Sequence, residues 1–407
     1  MENLIDHKQL FRLPWTLPDN AISWLEPTSA CNLACDGCYR ENVKDSHKTF
    51  DEVKHELDVF QKLRKSDCIS IAGGDPLLYP NIVELVAEIK SRGIKPIINT
   101  NGKALTKELL HELKEAGVYG FTFHVDSKQG RPGEWKGKSE LELNELRLQY
   151  AQMLADEGDI ACSFNSTVYD DTLQYVPEMI EWAQKHIDIV HTMVFIAFRH
   201  VVPEMPFDWY AGGQKVDWQN IMYHSDEKRR VDIKSTDMLN KTREKFPEFT
   251  PAAYLNGTEQ PDSFKWLFNE RIGTKDKIFG YLGPKFMELI MFFHHFTRGT
   301  YLSYAAPKTA KLGRSTLLLL WPFDKGLRKS LKKYLGYFLK NPFRIFKKVH
   351  MQTILFIQPV DFDKWGNQNM CDGCPDITVH DNRLVWSCRL EEPKKYGTFL
   401  RSVPKDE

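Results

Sequence analysis

Between Trp24 and about Arg199 the chain alternates short apolar runs with longer amphipathic ones. The short runs are Ile22 to Glu26, Cys68 to Ala72, Pro96 to Asn99, Gly120 to Val125, Ala161 to Thr167 and Ile189 to Ala197, and they read as strands. Between them Phe50 to Lys65, Asn81 to Arg92, Thr106 to Ala116, Leu141 to Ala155 and Leu173 to Lys185 carry apolar positions at three-to-four spacing and read as helices. Six strands joined by five helical, right-handed crossovers predict an α/β unit whose parallel sheet is covered by helices. After Arg199 the alternation stops. The stretch to about Pro251 is rich in Trp, Tyr, Pro and charge, and is followed by the greasy segments Phe264 to Phe268, Phe286 to Phe296 and Leu317 to Trp321. A final apolar run, Thr353 to Pro359, reads as another strand. These shifts divide the chain into an N-terminal extension (1–20), the α/β unit (21–200), an α-rich, aromatic and basic insertion or substrate lid (201–350) and a small C-terminal extension (351–407).

The chemistry-bearing residues fall at the strand ends. Cys31, Cys35 and Cys38 follow the first strand as C-x3-C-x2-C. Three thiolates can hold three corners of a [4Fe-4S] cube and leave one iron without a protein ligand. A zinc knuckle or three unrelated thiols is the alternative, but a structural zinc needs four ligands, and no fourth Cys or His lies nearby in sequence. Gly73-Gly74-Asp75-Pro76-Leu77 follows the second strand; its glycines allow close backbone approach, and its carboxylate can accept from an ammonium group. Taken alone it is an ordinary turn. Asn99-Thr100-Asn101-Gly102 ends the third strand, where Thr100 or Asn101 can equally cap backbone. His124, Asp126 and Ser127, then Ser163, Asn165 and Thr167, stand near the ends of the next two; strand-end polar residues in a parallel barrel face the catalytic mouth. His124 either meets substrate or is a satisfied barrel histidine. Cys68 and Cys162, within apolar strands, read as small buried side chains.

The first cysteine set, with Tyr39 directly after it, resembles the cluster loop of the radical S-adenosylmethionine (SAM) superfamily. The resemblance implies a partial (β/α)6 TIM-like barrel in which SAM chelates the open iron of a [4Fe-4S] cluster. An electron from a donor such as flavodoxin or ferredoxin then gives a 5'-deoxyadenosyl radical that abstracts hydrogen from an sp3 carbon. It further implies that Tyr39 approaches adenine, that Gly73, Gly74 and Asp75 contact the methionine amino group, with Asp where Glu is commoner, and that Thr100 and Asn101 belong to a Thr-Asn-Gly segment. Asp126, Ser163 and Asn165 match positions that contact the ribose and carboxylate. Near the C-terminus Cys371, Cys374 and Cys388, spaced C-x2-C-x13-C, loosely resemble the auxiliary-cluster extensions of the SPASM or Twitch type. They are read as ligands of a second [4Fe-4S] cluster, with zinc or free thiols as the alternatives, and Asp372, Asp376, His380, water or substrate as the fourth ligand.

Composition changes the picture in few places. With 407 residues, 42 % hydrophobic and 27 % charged, the chain is a core-forming protein. Its 55 basic and 55 acidic side chains cancel, giving no global case for nucleic acid. Eight cysteines, six of them in metal-type spacing, fit a reducing compartment. No apolar stretch has transmembrane length and the first residues do not read as a signal peptide, so a cytoplasmic protein is expected. Between Lys325 and Lys348 nine Lys or Arg occur with no Asp or Glu, interleaved with Leu, Tyr and Phe. That composition suits a peripheral contact with anionic lipid, a helix covering the barrel, or, less well, nucleic acid. Phe286 to Phe296 either fills a core or lines a tunnel for a lipid, isoprenoid or tetrapyrrole, and makes His294 and His295 candidate substrate contacts. The expected function is a radical SAM enzyme acting on such a hydrophobic molecule. A maturase of a ribosomal peptide and a non-enzymatic zinc or iron-sulfur module are the alternatives.

Overall fold

The computed structural model describes residues 5–405 apart from 261 and 306, and the first four and last two positions of the terminal extensions lie outside it. In chain order the barrel elements are β1 (Phe11–Arg12), β2 (Ile22–Thr28), α1 (Phe50–Leu63), β3 (Cys68–Gly73), α2 (Ile82–Ser91), β4 (Lys95–Thr100), α3 (Lys107–Glu115), β5 (Gly120–His124), α4 (Asn144–Glu157), β6 (Ala161–Val168), α5 (Val176–Lys185) and β7 (Thr192–Ala197). Strands β2 to β7 pair in sequence order and in parallel. The helices form for local reasons. In α1, Val53, Leu57 and Phe60 lie on the buried face, and Thr49 and Glu52 cap its start reciprocally.

Next come β8 (Phe207–Ala211), β9 (Gln214–Val216), α6 (Ser235–Lys245), β10 (Ala253–Asn256), β11 (Phe264–Thr274), β12 (Lys277–Tyr281), α7 (Pro284–Arg298), α8 (Pro307–Ala310), α9 (Gly313–Leu320), α10 (Lys325–Lys340), β13 (His350–Ile357) and, near the C-terminus, α11 (Glu391–Tyr396). The segment 201–350 carries helices α6 to α10 and also supplies β10, β11 and β12 to the barrel sheet: β13, the run expected as a strand at Thr353 to Pro359, lies parallel to β7, β11 lies antiparallel to β13, and β10 and β12 pair along the other edge of β11. The result is one mixed, eleven-stranded sheet. Ten of the eleven residues of β11 are buried, so its sequence lacks the in-out alternation by which a strand is recognised.

Helix α10 packs on β12, with Tyr334 and Tyr337 each 5.3 Å from the ring of Phe279. Asp324 caps α10 through Leu327 N and also accepts from Gly283 N at the start of α7, so one carboxylate serves two helix N-termini. Beyond β13 the chain forms a hairpin, Ile377–His380 with Arg383–Trp386, then α11. Arg401–Pro404 joins β8 and β9 in a small sheet of its own.

Candidate active site

The barrel encloses a cavity of about 460 Å3, lined by both cysteine sets, the strand-end residues and one face of α7. Cys31, Cys35 and Cys38 lie in the loop between β2 and α1. The amide of Asn101 donates to Cys31 Sγ at 3.8 Å, and that of Asn42 to Cys38 Sγ at 3.9 Å. Burial pushes all three thiols up; at Cys35 the charge of Asp126 and the other two sulfurs add to the effect. A metal bound by these thiols would release their protons by supplying the positive charge that the site lacks.

The glycine pair sets the loop's position. Gly74 N donates to Thr28 O at 2.9 Å and Asp75 N to Ala30 O at 2.7 Å, which zips the end of β3 to the first residues of the cysteine loop. A Cβ on Gly73 would stand 2.2 Å from Thr28 O and one on Gly74 2.1 Å from Ala30 O; Gly73 also has φ of +108°. Asp75 does not line the cavity. It is fully buried and accepts from Thr100 Oγ1 (2.8 and 2.9 Å), Asn101 N (2.9 Å) and Leu77 N (3.0 Å), bracing the β3 and β4 turns together. Thr100 and Asn101 themselves line the cavity, as does Tyr39, whose ring lies 5.0 Å from the Arg40 guanidinium.

Of the strand-end residues, His124, Ser163, Asn165 and Thr167 line the cavity. His124 Nε2 bridges Asp126 Oδ2 (2.8 Å) and Thr167 Oγ1 (3.1 Å). Asp126 is buried behind it, against a second cleft that also takes Ser127, Arg131 and Trp135. Burial disfavours its ionisation, yet His124 and the amides of Lys128 and Thr167 outweigh that and hold its carboxyl below the usual range. Ser163 Oγ, Asn99 Nδ2 and the Trp24 indole N–H are buried in the cavity lining without a hydrogen-bond partner among the described residues. Cys68 and Cys162 are fully buried in their strands.

The second set reaches the same cavity. Cys371 and Cys374 are in hydrogen-bond contact, and Cys388 faces both; burial pushes Cys388 up to about 12. The Cys371–Cys374 turn is fastened to the barrel: Arg64 donates to Cys374 O at 2.8 Å, Asn20 to Gly373 O at 3.0 Å, and Arg12 pairs with Asp372 at 2.6 Å. Among the candidate fourth ligands only Asp376 lines the cavity; Asp372 is committed to Arg12, and His380 sits at the hairpin end beside Asp381. Among the described residues no three or more His, Cys, Asp or Glu side chains are spaced to hold a single metal ion. Cluster cysteines each bind a different iron, so one-ion spacing is not their requirement. Three convergent thiols, a glycine cradle and unpartnered polar atoms aimed into the cavity fit a cluster with SAM.

Helix α7 divides its residues between the cavity and other surroundings. His294 and His295 do not line the cavity: His294 Nδ1 faces Thr300 O at 2.7 Å, and His295 Nε2 faces Asp19 Oδ2 at 2.8 Å. The aromatic-methionine run is split by the helix: Phe286, Met287, Ile290 and Met291 line the cavity, while Phe292, Phe293 and Phe296 face outward. Sequence reasoning also missed Arg40 and Glu270. Arg40, buried one residue after Tyr39, pairs with Glu26 of β2 and Glu391 of α11. Glu270 projects into the cavity from β11, where it is the one carboxylate of the strand and stands between Asn269 and Arg271.

Residues 25–131 match the Radical SAM superfamily, so this part of the chain carries a domain of that superfamily. A tungsten-containing aldehyde ferredoxin oxidoreductase cofactor-modifying protein of Pyrococcus furiosus is 37 % identical over 106 residues, covering 25 % of this chain and 30 % of that protein. An AdoMet-dependent heme synthase of Methanosarcina barkeri is 25 % identical over 229 residues, covering 53 % of this chain and 61 % of that protein. The match therefore spans between 30 % and 61 % of the length of these curated relatives. Among solved structures, Streptococcus suis SuiB bound to precursor peptide SuiA aligns with a TM-score of 0.39 at 14 % identity, covering 56 % of this chain and 46 % of that one.

Proposed function

We propose that the protein is a radical SAM enzyme that abstracts hydrogen from an sp3 carbon of an apolar molecule such as a lipid, isoprenoid or tetrapyrrole. The observation that carries the reading is a single cavity that joins Cys31, Cys35 and Cys38 to the apolar surface of Trp266, Phe268, Phe286 and Met287. The heme-synthase relatives support a greasy ring or chain over a peptide. Cys31, Cys35 and Cys38 would hold a [4Fe-4S] cluster, with SAM along Gly73, Gly74, Thr100 and Asn101, and Cys371, Cys374 and Cys388 would hold a second cluster. With these groups bound and an electron supplied by a reduced flavodoxin or ferredoxin, the site supplies reductive cleavage of SAM. The chain's own part is to fix the loop by the β3 zip, orient SAM through Thr100, Asn101 and His124, and keep water out with the aromatic wall.

Anaerobically reconstituted protein should form 5'-deoxyadenosine from SAM under dithionite and contain about eight irons per chain. The Cys31→Ala/Cys35→Ala/Cys38→Ala variant should lose all cleavage yet keep about four irons and sulfides. Zinc without sulfide in that variant would remove the second cluster from the proposal. No cleavage by iron-loaded wild type with candidate substrates present would remove the first.

The same reading takes in a membrane contact. Among the described residues no helix is long and apolar enough to cross a bilayer. Yet Phe296, Phe343 and Phe346 are 89 %, 80 % and 81 % exposed, and Leu319, Phe323, Leu335 and Leu339 are exposed beside the lysines of α10. Apolar side chains so exposed and interleaved with cations suit the headgroup layer of an anionic bilayer. Wild-type protein should co-sediment with phosphatidylglycerol vesicles in a salt-sensitive way. Binding should fall when Lys332, Lys333, Lys347 and Lys348 become Glu. Wild-type protein that stays in the supernatant at low salt would defeat this contact and leave the radical chemistry standing.

A further inference from the structure

One register row of the barrel sheet is polar across six strands. Asn99 lies opposite Thr122, Thr122 opposite Ser163, Ser163 opposite Thr192, Thr192 opposite Thr353, and Thr353 opposite Glu270. All six side chains line the cavity. The row sits two residues before the His124 and Asn165 pair on β5 and β6, hence on the same interior face and one layer deeper than the SAM-side residues. Nothing in the fold requires it. Interior layers of parallel barrels are normally filled by branched apolar residues, and this one leaves Ser163 Oγ and Asn99 Nδ2 buried without partners.

The row ends on a charge with no counter-charge. Among the described residues the Glu270 carboxylate has one hydrogen-bond partner, the Thr353 hydroxyl, which donates to it, and no cation pairs with it. Arg271, next on the strand, points to the opposite face and bonds Gln352 and the carbonyl of Ile180. His191, next to Thr192 on β7, accepts from the amide of Cys162, and burial pushes it down to about 4, so it is neutral. From α7 only Phe286, Met287, Ile290 and Met291 reach the cavity. Burial in this setting pushes the Glu270 carboxyl up to about 7, against a small opposing effect of Thr353.

We propose that this row is the head-group pocket of the substrate and that Glu270 receives a protonated amine there. A buried carboxylate is stable when the ligand brings its counter-charge, and the neutral hydroxyls of the row beside it can accept the remaining ammonium protons. The inference rests on the apolar-substrate reading and narrows it. The substrate class becomes an amphiphile with a basic nitrogen at one end, whereas a head group bearing only carboxylates would meet Glu270 as a like charge. Glu270 would determine specificity without taking part in hydrogen abstraction.

The test uses octylamine, octanol and octanoate as probes of equal chain length, titrated calorimetrically into full-length, anaerobically reconstituted protein. Octylamine should bind wild type about tenfold or more tightly than the other two. Its affinity should rise as pH passes upward through the Glu270 range, since an alkylammonium stays protonated to about pH 10. Octanol should show no such dependence. Glu270→Gln should erase the amine preference with octanol binding and cluster absorbance unchanged, and Glu270→Asp should retain it. Equal affinity for octylamine and octanol in wild type, a preference that survives Glu270→Gln, or an octylamine affinity flat with pH would each overturn the proposal. Formation of 5'-deoxyadenosine is followed in the same samples: its loss counts against the radical SAM reading, whereas intact cleavage without amine preference counts against the pocket alone.

Discussion

Gly74→Ala should reduce 5'-deoxyadenosine formation about a hundredfold or more, because displacing a catalytic loop by about 1 Å costs on that order. The alanine Cβ would stand 2.1 Å from Ala30 O, and real contacts of that kind are not made. The neighbour cannot rotate away as a side chain would, since the obstacle is backbone held by Asp75 N at 2.7 Å, one residue before Cys31. Relief must come from parting β3 from the cysteine loop, which moves the thiols relative to the SAM cradle. The stability loss should be smaller in proportion, about 1–3 kcal/mol as for other overpacked sites. Gly336→Ala is the matched control: it lies in α10 with open space around the added Cβ. It should leave cleavage unchanged and stabilise the helix by about 0.5–1 kcal/mol. Comparing iron content with cleavage rate in the Gly74 variant separates a lost cluster from a displaced one. A wild-type rate would show that the loop is positioned by something other than this zip.

The parts of the molecule that were legible in sequence are those whose signal is local. The switch between apolar runs and three-to-four spacing located β2 to β7 and their helices to within a few residues, because each crossover helix buries one stripe on the sheet. The grouping of Cys31, Cys35 and Cys38 was legible because one loop carries all three. What escaped depends on pairing between distant segments. Strand β11 is buried on both faces and shows no alternation, and its place beside β13 is set only when residues 264–274 and 350–357 meet. Glu270 acquires meaning from Thr353, 83 residues away, and Arg40 from Glu391, 351 residues away. His294 and His295 misled for the complementary reason. A greasy sequence context suggested an apolar site, but the helix turns both rings toward carboxylates or carbonyls at the barrel's other end, near Asp67 and Asp19. Asp75 shows the same limit in milder form, since its neighbours in sequence said nothing of Thr100 and Asn101, which occupy its carboxylate.

Arg40→Ala should destabilise the folded protein by about 3–5 kcal/mol, the usual cost of removing one partner from a buried charge cluster. The Arg40 side chain is 4 % exposed and its partners Glu26 and Glu391 are each 7 % exposed, so water cannot replace the guanidinium. Arg40 stays charged despite its burial, because the carboxylates of Glu26 and Glu391 more than offset the desolvation and raise it further. Without it, two carboxylates are left in the interior, and burial without a counter-charge raises an acid's folded-state pKa above the unfolded value. An acid raised in this way costs stability as pH climbs through the unfolded pKa toward the folded one, and the cost vanishes below both. The deficit of the variant should therefore be largest near neutral pH and shrink toward about pH 4, measured as the difference in unfolding free energy from wild type. Lys394, paired with Glu391 at 3.0 Å, limits the effect on that side, leaving Glu26 the more exposed to the loss. Glu26→Gln and Glu391→Gln added to an Arg40→Met background should recover most of the stability, as neutral replacement of a whole buried cluster often does. The consequence for function follows from what the cluster joins. Arg40 comes two residues after Cys38, and Glu391 three residues after Cys388, so the pair fastens the first cysteine loop to the segment that carries the second set. Iron occupancy of both sets should fall together in Arg40→Ala and return together in the neutral triple variant. Loss confined to one set would show that the two halves of the cavity are held independently.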